Sequence, residues 1–264
     1  MSARWLAPAL IALSLGASGV ATAEPIMKPR KYHGPIPQSL LWLRGGFFGG
    51  ASNEEMIEFL DNRVQAPFTP TSEDFGSAFT IEAGYAHKPH PQFGFRLNGS
   101  VSFLSSTGNG SLVPQLPGIP DSIPLPLVEY DREFKTELVV VEASGIYFLS
   151  DAAVKEFQAY IGGGFSVGVP HESYQETQVD VDTGETFQVI ESDEWGVSAG
   201  VHAVLGALYY VSNTWGISAE GRLQLMESRY EQLTALNEND QSEQVSFIVD
   251  YTGFYLTVGV LWGF

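Results

Sequence analysis

The amino-acid sequence predicts an all-β protein, an eight-stranded antiparallel up-and-down transmembrane β-barrel. Three observations predict it. Eight runs alternate apolar with small or polar residues at a period of two, as strands with two chemically different faces do. The breaks between the runs alternate between short and long. Aromatic residues gather at the two ends of the runs and leave Val, Leu, Ile, Ala and Gly between them.

The first segment is set aside before any fold is argued. Residues 1–23 carry one positive charge at Arg4, an apolar stretch over 5–15 and the small-residue end Ala21-Thr22-Ala23. This predicts a secretory signal peptide cleaved after Ala23, the alternative being a membrane-spanning helix too short for the task. Residues 24–39 form a proline-rich tail with Pro25, Pro29, Pro35 and Pro37, expected to be extended. The barrel is expected over 40–264.

The runs lie near 40–50, 77–87, 93–106, 133–149, 157–169, 194–211, 215–229 and 249–264. In the third, Phe93, Phe95, Leu97, Gly99, Val101 and Phe103 alternate with Gly94, Arg96, Asn98, Ser100 and Ser102. In the last, Phe254, Leu256, Val258, Val260, Trp262 and Phe264 alternate with Tyr255, Thr257, Gly259, Leu261 and Gly263, and this strand is expected to close against the first around Leu41 to Phe47. Short breaks fall at 88–92, 150–156 and 212–214. Long ones fall at about 51–76, 107–132, 170–193 and 230–248, and should all leave the sheet at one end.

Periodicity alone leaves two architectures open, a soluble sandwich or barrel with apolar residues inside and a membrane barrel with them outside. Composition chooses between them. The non-apolar face is mostly Gly, Ser, Thr and Asn, where a solvated face would be rich in Lys, Glu and Asp. Its charges are balanced: Arg44, Arg96 and Arg222 against Glu82, Glu142 and Glu220. Such a set suits a narrow interior in which every charge needs a partner. The aromatics are expected in two girdles. One lies at the short-turn end (Trp42, Tyr85, Phe93, Tyr147, Phe157, Tyr160, Tyr209, Trp215, Trp262, Phe264), and a looser one lies toward the long loops (Phe47, Phe79, Phe103, Phe134, Phe165, Trp195, Phe254).

The chain has no cysteine, which excludes disulfides and thiolate chemistry, and 31 acidic against 13 basic residues, which argues against nucleic acid as a partner. The acidity is concentrated in the long breaks, where the basic residues are Arg63 and Arg132. A solvated, self-repelling rim accounts for it, and binding of divalent cations is the functional alternative. The candidate for a cation is "DVDTGE", with Asp180, Asp182 and Glu185, although a hairpin turn at Thr183-Gly184 explains the same residues. The second long break is apolar and rich in proline. Leu112, Leu116, Ile119, Ile123 and Leu125 make it a candidate platform for a hydrophobic ligand or a cover over neighbouring loops. In the first long break, "NEEMIEFLDN" can make one or two helical turns.

No catalytic constellation is recognised. His202 is the histidine that falls on a strand, facing inward by parity, and is expected to be structural. No nucleophile elbow, phosphate-binding loop or metal-spaced histidines occur, so no enzyme and no cofactor are assigned.

These features together resemble the small eight-stranded barrels of the bacterial outer membrane, of the outer-membrane protein A and W type. The resemblance covers nearly the whole mature chain and is one of architecture. It implies an integral outer-membrane protein of structural or surface-interaction type, exported by its leader, with the 24–39 tail in the periplasm. It implies outer-membrane lipid and lipopolysaccharide as surroundings, a monomer, and recognition by the outer-membrane assembly machinery. In that family a C-terminal aromatic is part of the assembly signal, and Phe264 stands there, preceded at alternate positions by Trp262, Val260 and Val258. The alternative function is binding or passage of small hydrophobic molecules at the apolar second loop.

Overall fold

The computed structural model describes residues 37–55, 57, 71–72, 75–112, 127–149, 156–236 and 242–264. At 71–72, 112, 187–192, 230–236 and 242–247 it describes the backbone. The leader and nearly all of the proline-rich tail lie outside these residues, as does the loop segment holding Leu116, Ile119, Ile123 and Leu125.

Eleven strands follow in chain order: β1 (Ser39–Gly49), β2 (Thr71–Ser72), β3 (Ala78–His90), β4 (Phe93–Leu112), β5 (Val128–Phe148), β6 (Phe157–Asp180), β7 (Thr186–Trp195), β8 (Ser198–Tyr210), β9 (Trp215–Leu236), β10 (Ser242–Asp250) and β11 (Gly253–Gly263). Eight of them close a ring in which every pair is antiparallel: β1–β3–β4–β5–β6–β8–β9–β11 and back to β1. The remaining three are extensions. β7 and β10 continue β8 and β11 upward beyond short interruptions, and β2 lies on the upper part of β4.

The closing seam pairs Leu41 with Trp262 and Phe47 with Leu256. It runs to the last residue, where Phe264 N donates to Ser39 O (3.0 Å) and Ser39 N to Phe264 O (3.1 Å). No strand edge is therefore left open in the ring, as a hydrocarbon environment requires.

The register also sets the tilt. A hydrogen-bonded row started at Gly263 passes through Leu40, Ala86, Arg96, Ser144, Gly164, His202 and Gln224. It meets β11 again at Gly253, ten residues from where it began. A shear of ten on eight strands tilts them by roughly 40°, at about 3.3 Å per residue and about 4.8 Å between strands. From Phe254 to Trp262 a strand then rises roughly 20 Å, close to the ~25 Å apolar band of an outer-membrane barrel.

Polarity is inverted relative to a soluble protein. Leu43, Phe95, Leu97, Val141, Leu223, Leu256 and Val258 all point outward and are exposed, with Val141 at 59% and Val258 at 54%. Arg44, Glu82, Arg96, Glu142, Glu220 and Arg222 are each at most 2% exposed. The wall is thus apolar outside and charged inside, the arrangement of a barrel solvated by lipid. Val258→Arg, which sets a cation on this outer band, is expected to cost about 2–4 kcal/mol in lipid vesicles. A urea midpoint left in place would mean that Val258 faces water.

The sequence-based picture needs two corrections. Trp42, Tyr160 and Phe134 are not in the girdles; all three are buried inside the barrel, at 8%, 4% and 4% exposure. Trp42 shares the parity of Arg44 and so must turn inward with it. Phe134 lies against Tyr174, with ring centroids 4.5 Å apart. The outward aromatics are Tyr85, Phe93, Tyr147, Phe157, Tyr209, Trp215, Trp262 and Phe264 at one level and Phe47, Phe79, Phe103, Phe165 and Phe254 at the other. Trp195 stands higher, because the rows climb around the barrel.

The second correction concerns the long breaks. Much of the last three is strand: β4 and β5 continue to Leu112 and Val128, β6 and β7 run to Asp180 and Thr186, and β9 and β10 pair up to Leu236 and Ser242. The chain leaves the barrel as tall hairpins whose polar residues hide the two-residue period. The first long break opens with a helical turn in which Ile57 N donates to Asn53 O at 3.0 Å; most of its apolar residues lie outside the described set.

Candidate functional site: a charged ring inside the barrel

The six inward charges come from five strands. β1 supplies Arg44, β3 Glu82, β4 Arg96 and β5 Glu142, while β9 supplies both Glu220 and Arg222. On β1, β3, β4 and β9 they lie between the lower and upper levels of outward apolar residues. They form one closed alternating circuit. Arg44 Nε lies 2.5 Å from Glu82 Oε1, and Glu82 Oε2 lies 3.2 Å from Arg222 Nη1. Arg222 Nη1 lies 2.7 Å from Glu142 Oε2, which is 2.9 Å from Arg96 Nη2. Arg96 Nη1 lies 2.6 Å from Glu220 Oε2, and Arg44 Nη1 returns to that oxygen at 3.0 Å. Each arginine thus bridges two glutamates and each glutamate two arginines. Three positive and three negative charges cancel within one layer, the condition for holding ions in a low-dielectric interior.

Neutral side chains fix the circuit in place. Asn98 Nδ2 donates to Glu82 Oε2 (3.3 Å) and Glu142 Oε2 (3.2 Å), and its Oδ1 accepts from Trp42 Nε1 (3.0 Å). Tyr160 OH donates to Glu220 Oε2, and Thr257 Oγ1 to Glu82 Oε1 at 2.8 Å. The Trp42 ring faces Arg44 and Arg96, and the Tyr255 ring lies 3.9 Å from the Arg222 guanidinium. These contacts suit guanidinium, which hydrogen-bonds in its plane and stacks across it. Asn98, Tyr160, Thr257, Trp42 and Tyr255 were missed as site residues. Inward parity beside a charged position was the available signal for Asn98, Trp42, Thr257 and Tyr255; Tyr160 on β6 has no charged neighbour along or across the strand and gave none.

His202 is buried, between Ser144 Oγ and Ser166 Oγ, each 2.7 Å from one ring nitrogen. Both ring nitrogens are satisfied, as in a structural histidine.

Apolar layers lie on both sides of the charges. Toward the short turns, Leu40, Trp42, Ala86, Ile146, Phe148, Tyr160, Val204, Leu208, Tyr210 and Leu261 form one cluster. Toward the hairpins, Phe48, Phe75, Leu104, Phe134, Leu138, Val140, Tyr174, Met226, Val249 and Tyr251 belong to another. Glycines opposite the rings make room for them. A Cβ on Gly84 would come within 2.3 Å of Trp42, and one on Gly206 within 2.2 Å of Tyr160. The interior is packed rather than open, as the width of an eight-stranded barrel implies.

The other candidate residues are not part of this site. Asp180, Asp182 and Glu185 are at the exposed β6–β7 tip. Gly184 there has φ +71°, and Asp180 Oδ1 accepts from the amides of Thr183 (2.9 Å) and Asp182 (2.8 Å). Those bonds, the Thr183 amide first, hold the Asp180 carboxyl below the ordinary carboxylate range. They occupy that oxygen in the turn itself. Val260, Trp262 and Phe264 point outward from β11. On the outer face of the β6–β7 hairpin, His171 hydrogen-bonds Asp193 and stacks on Trp195, with centroids 4.2 Å apart. This pairing was not seen in the sequence, because its members are 22 positions apart across a hairpin. Among the described residues no hydroxyl hydrogen-bonds that imidazole.

No protein-family model matches the chain, and no curated protein matches it. Several solved structures are similar. The outer membrane protein OprG from Pseudomonas aeruginosa is 12% identical with a TM-score of 0.44, the match covering 87% of this chain and 97% of that one. Neisserial surface protein A is 13% identical with a TM-score of 0.39, over 86% of this chain and 96% of that one. The outer membrane protease OmpT from Escherichia coli is 12% identical with a TM-score of 0.36, over 89% and 99%. The architecture of the present chain stands on its own register and polarity.

Proposed function

We propose that the protein is an integral outer-membrane β-barrel of structural and surface-interaction type, with a lumen closed to solutes. The closed ion-pair circuit between two apolar layers carries the reading. To pass, a hydrated solute would have to break buried ion pairs and part packed aromatic rings, and each step is costly. What the protein offers its surroundings is its outside: an apolar band for lipid and tall acidic hairpins above it. Outer-membrane lipid and lipopolysaccharide are the proposed partners at the wall, and divalent cations could bridge the acidic hairpins to anionic surface lipid. We take the protein to act as a monomer without a cofactor or catalytic activity. Purified protein in planar bilayers is expected to show no steady conductance; sustained openings at neutral pH would overturn the closed lumen.

A second reading has the mouth bind or pass small hydrophobic molecules. It is favoured by the buried apolar layer of Phe48, Phe75, Leu104 and Val249 on the hairpin side, taken with the apolar sequence of residues 112–127. Deleting 113–126 and following uptake of a hydrophobic probe separates the two readings.

A further inference from the structure

We propose that the cleft between β7 and β9, above the apolar band, takes an extended basic segment of a protein partner as an added β-strand. The inference deepens the surface-interaction reading and rests on it. The conductance that tests the closed lumen does not depend on the outcome.

The register shows where the wall parts. β8 pairs with β9 up to the rung Ala199–Glu227. Above that rung the strand is interrupted at Gly196 and Val197, and β7 pairs with β6 alone, from His171–Trp195 to Val179–Thr186. β9 continues to Leu236 with β10 on its other side. Among the described residues no ladder joins β7 to β9. Two strand edges, Thr186–Trp195 and 228–236, therefore keep backbone N–H and C=O groups that the sheet does not use. Such an edge is a template for another strand.

Two other edges above the membrane are covered by the protein's own first long break. Ser52 exchanges two backbone hydrogen bonds with Asp250 of β10 (2.7 and 2.9 Å), and Glu55 Oε2 accepts from Ile248 N at 3.0 Å. β2 lies on β4, with Thr71 opposite Asn109. Among the described residues no segment covers the β7–β9 cleft in this way. β7 also lacks two of the residues that blunt an edge. It has no proline and no lysine, and Thr186, Phe187, Val189 and Ile190 favour a strand.

Charge selects the occupant. β7 carries Glu191, Asp193 and Glu194 and no basic residue, and β9 adds Glu227 and Glu231 against Arg229. Asp193 is exposed on the outer face, while Glu194 shares the inward face with Glu172, directly across the ladder. Like charges so placed repel, and burial pushes the Glu194 carboxyl above its ordinary range. An added strand turns alternate side chains in and out, so basic residues on either of its faces meet an acid here. A second copy of β7 would set acid against acid, which disfavours pairing between two copies of this chain.

The test uses the full barrel in zwitterionic detergent at low ionic strength. The probe is a fluorescein-labelled decapeptide of alternating Lys and Thr. Fluorescence anisotropy should show saturable binding, and hydrogen exchange should slow over 186–195. The same peptide with alternate backbone nitrogens methylated keeps its charge but loses strand donors, and should bind about tenfold more weakly. Glu191→Lys combined with Glu194→Lys should abolish binding while the compact band on unheated gels is retained. Three results would each overturn the proposal: no saturable binding, equal affinity for the methylated peptide, or slowed exchange confined to strands other than β7 and β9. Protection of 186–195 that grows with protein concentration in the absence of peptide would assign the edge to a second copy, and would overturn it too.

Discussion

Replacing Glu220 with alanine should lower the unfolding free energy of the barrel by about 3–5 kcal/mol, the usual cost of taking one partner from a buried ion pair. Glu220 gathers its contacts on a single oxygen. Its Oε2 alone receives Arg44 Nη1, Arg96 Nη1 and Tyr160 OH. Without it, two buried guanidiniums keep one carboxylate each, and the ring changes from neutral to a net positive charge in a buried layer. The check is the urea midpoint in lipid vesicles, read from the heat-sensitive gel shift. Replacing all six ring residues with apolar side chains of similar volume should cost far less, because the desolvation of the ions disappears with their attraction. The ring's own accounting points the same way: Glu142 Oε1, Glu220 Oε1 and Arg222 Nη2 find no hydrogen-bond partner. Such a ring adds little net stability while being expensive to break. A Glu220→Ala cost below about 1 kcal/mol would mean that the six charges are hydrated and the interior is wet.

Much of this was legible in the sequence, for a reason that can be named. A strand in lipid cannot turn a charge outward, so period-two parity sorts every arginine and glutamate of a spanning run to one side. That rule placed Arg44, Glu82, Arg96, Glu142, Glu220 and Arg222 on the inner face. It could not say which arginine meets which glutamate. Arg222 and Glu82 are 140 positions apart and are brought together by the shear of the barrel, a property of the closed sheet that no single run carries. Trp42, Tyr160 and Phe134 were misplaced where height along the strand was allowed to override parity. The hairpins above the membrane were read as loops because both of their faces are polar, as at Gln175 to Gln178, and alternation then leaves no trace in hydropathy.

Deleting Phe264 should reduce the yield of folded barrel in cells about tenfold while shifting the urea midpoint of barrels that do insert by no more than about 1 kcal/mol. The two halves of the prediction have different causes. Phe264 contributes one closing pair of backbone bonds, with Ser39, and an outward side chain that remains 68% exposed to the surroundings. The seam keeps its other pairs, from Leu40–Gly263 to Gly49–Phe254, so the finished barrel loses little. Assembly is another matter. β11 lies more than 200 residues after β1 and must find it to close the ring, and until then both edges are unpaired and exposed to aggregation. We propose that the terminal aromatic is part of what the outer-membrane assembly machinery reads, with Trp262 and Val260 on the same outward face. Phe264→Leu, which keeps an apolar side chain and both backbone bonds, separates the two causes. If it folds as poorly as the deletion, the aromatic ring itself is recognised. If it folds as well as the parent, the backbone pair with Ser39 is what the deletion removed.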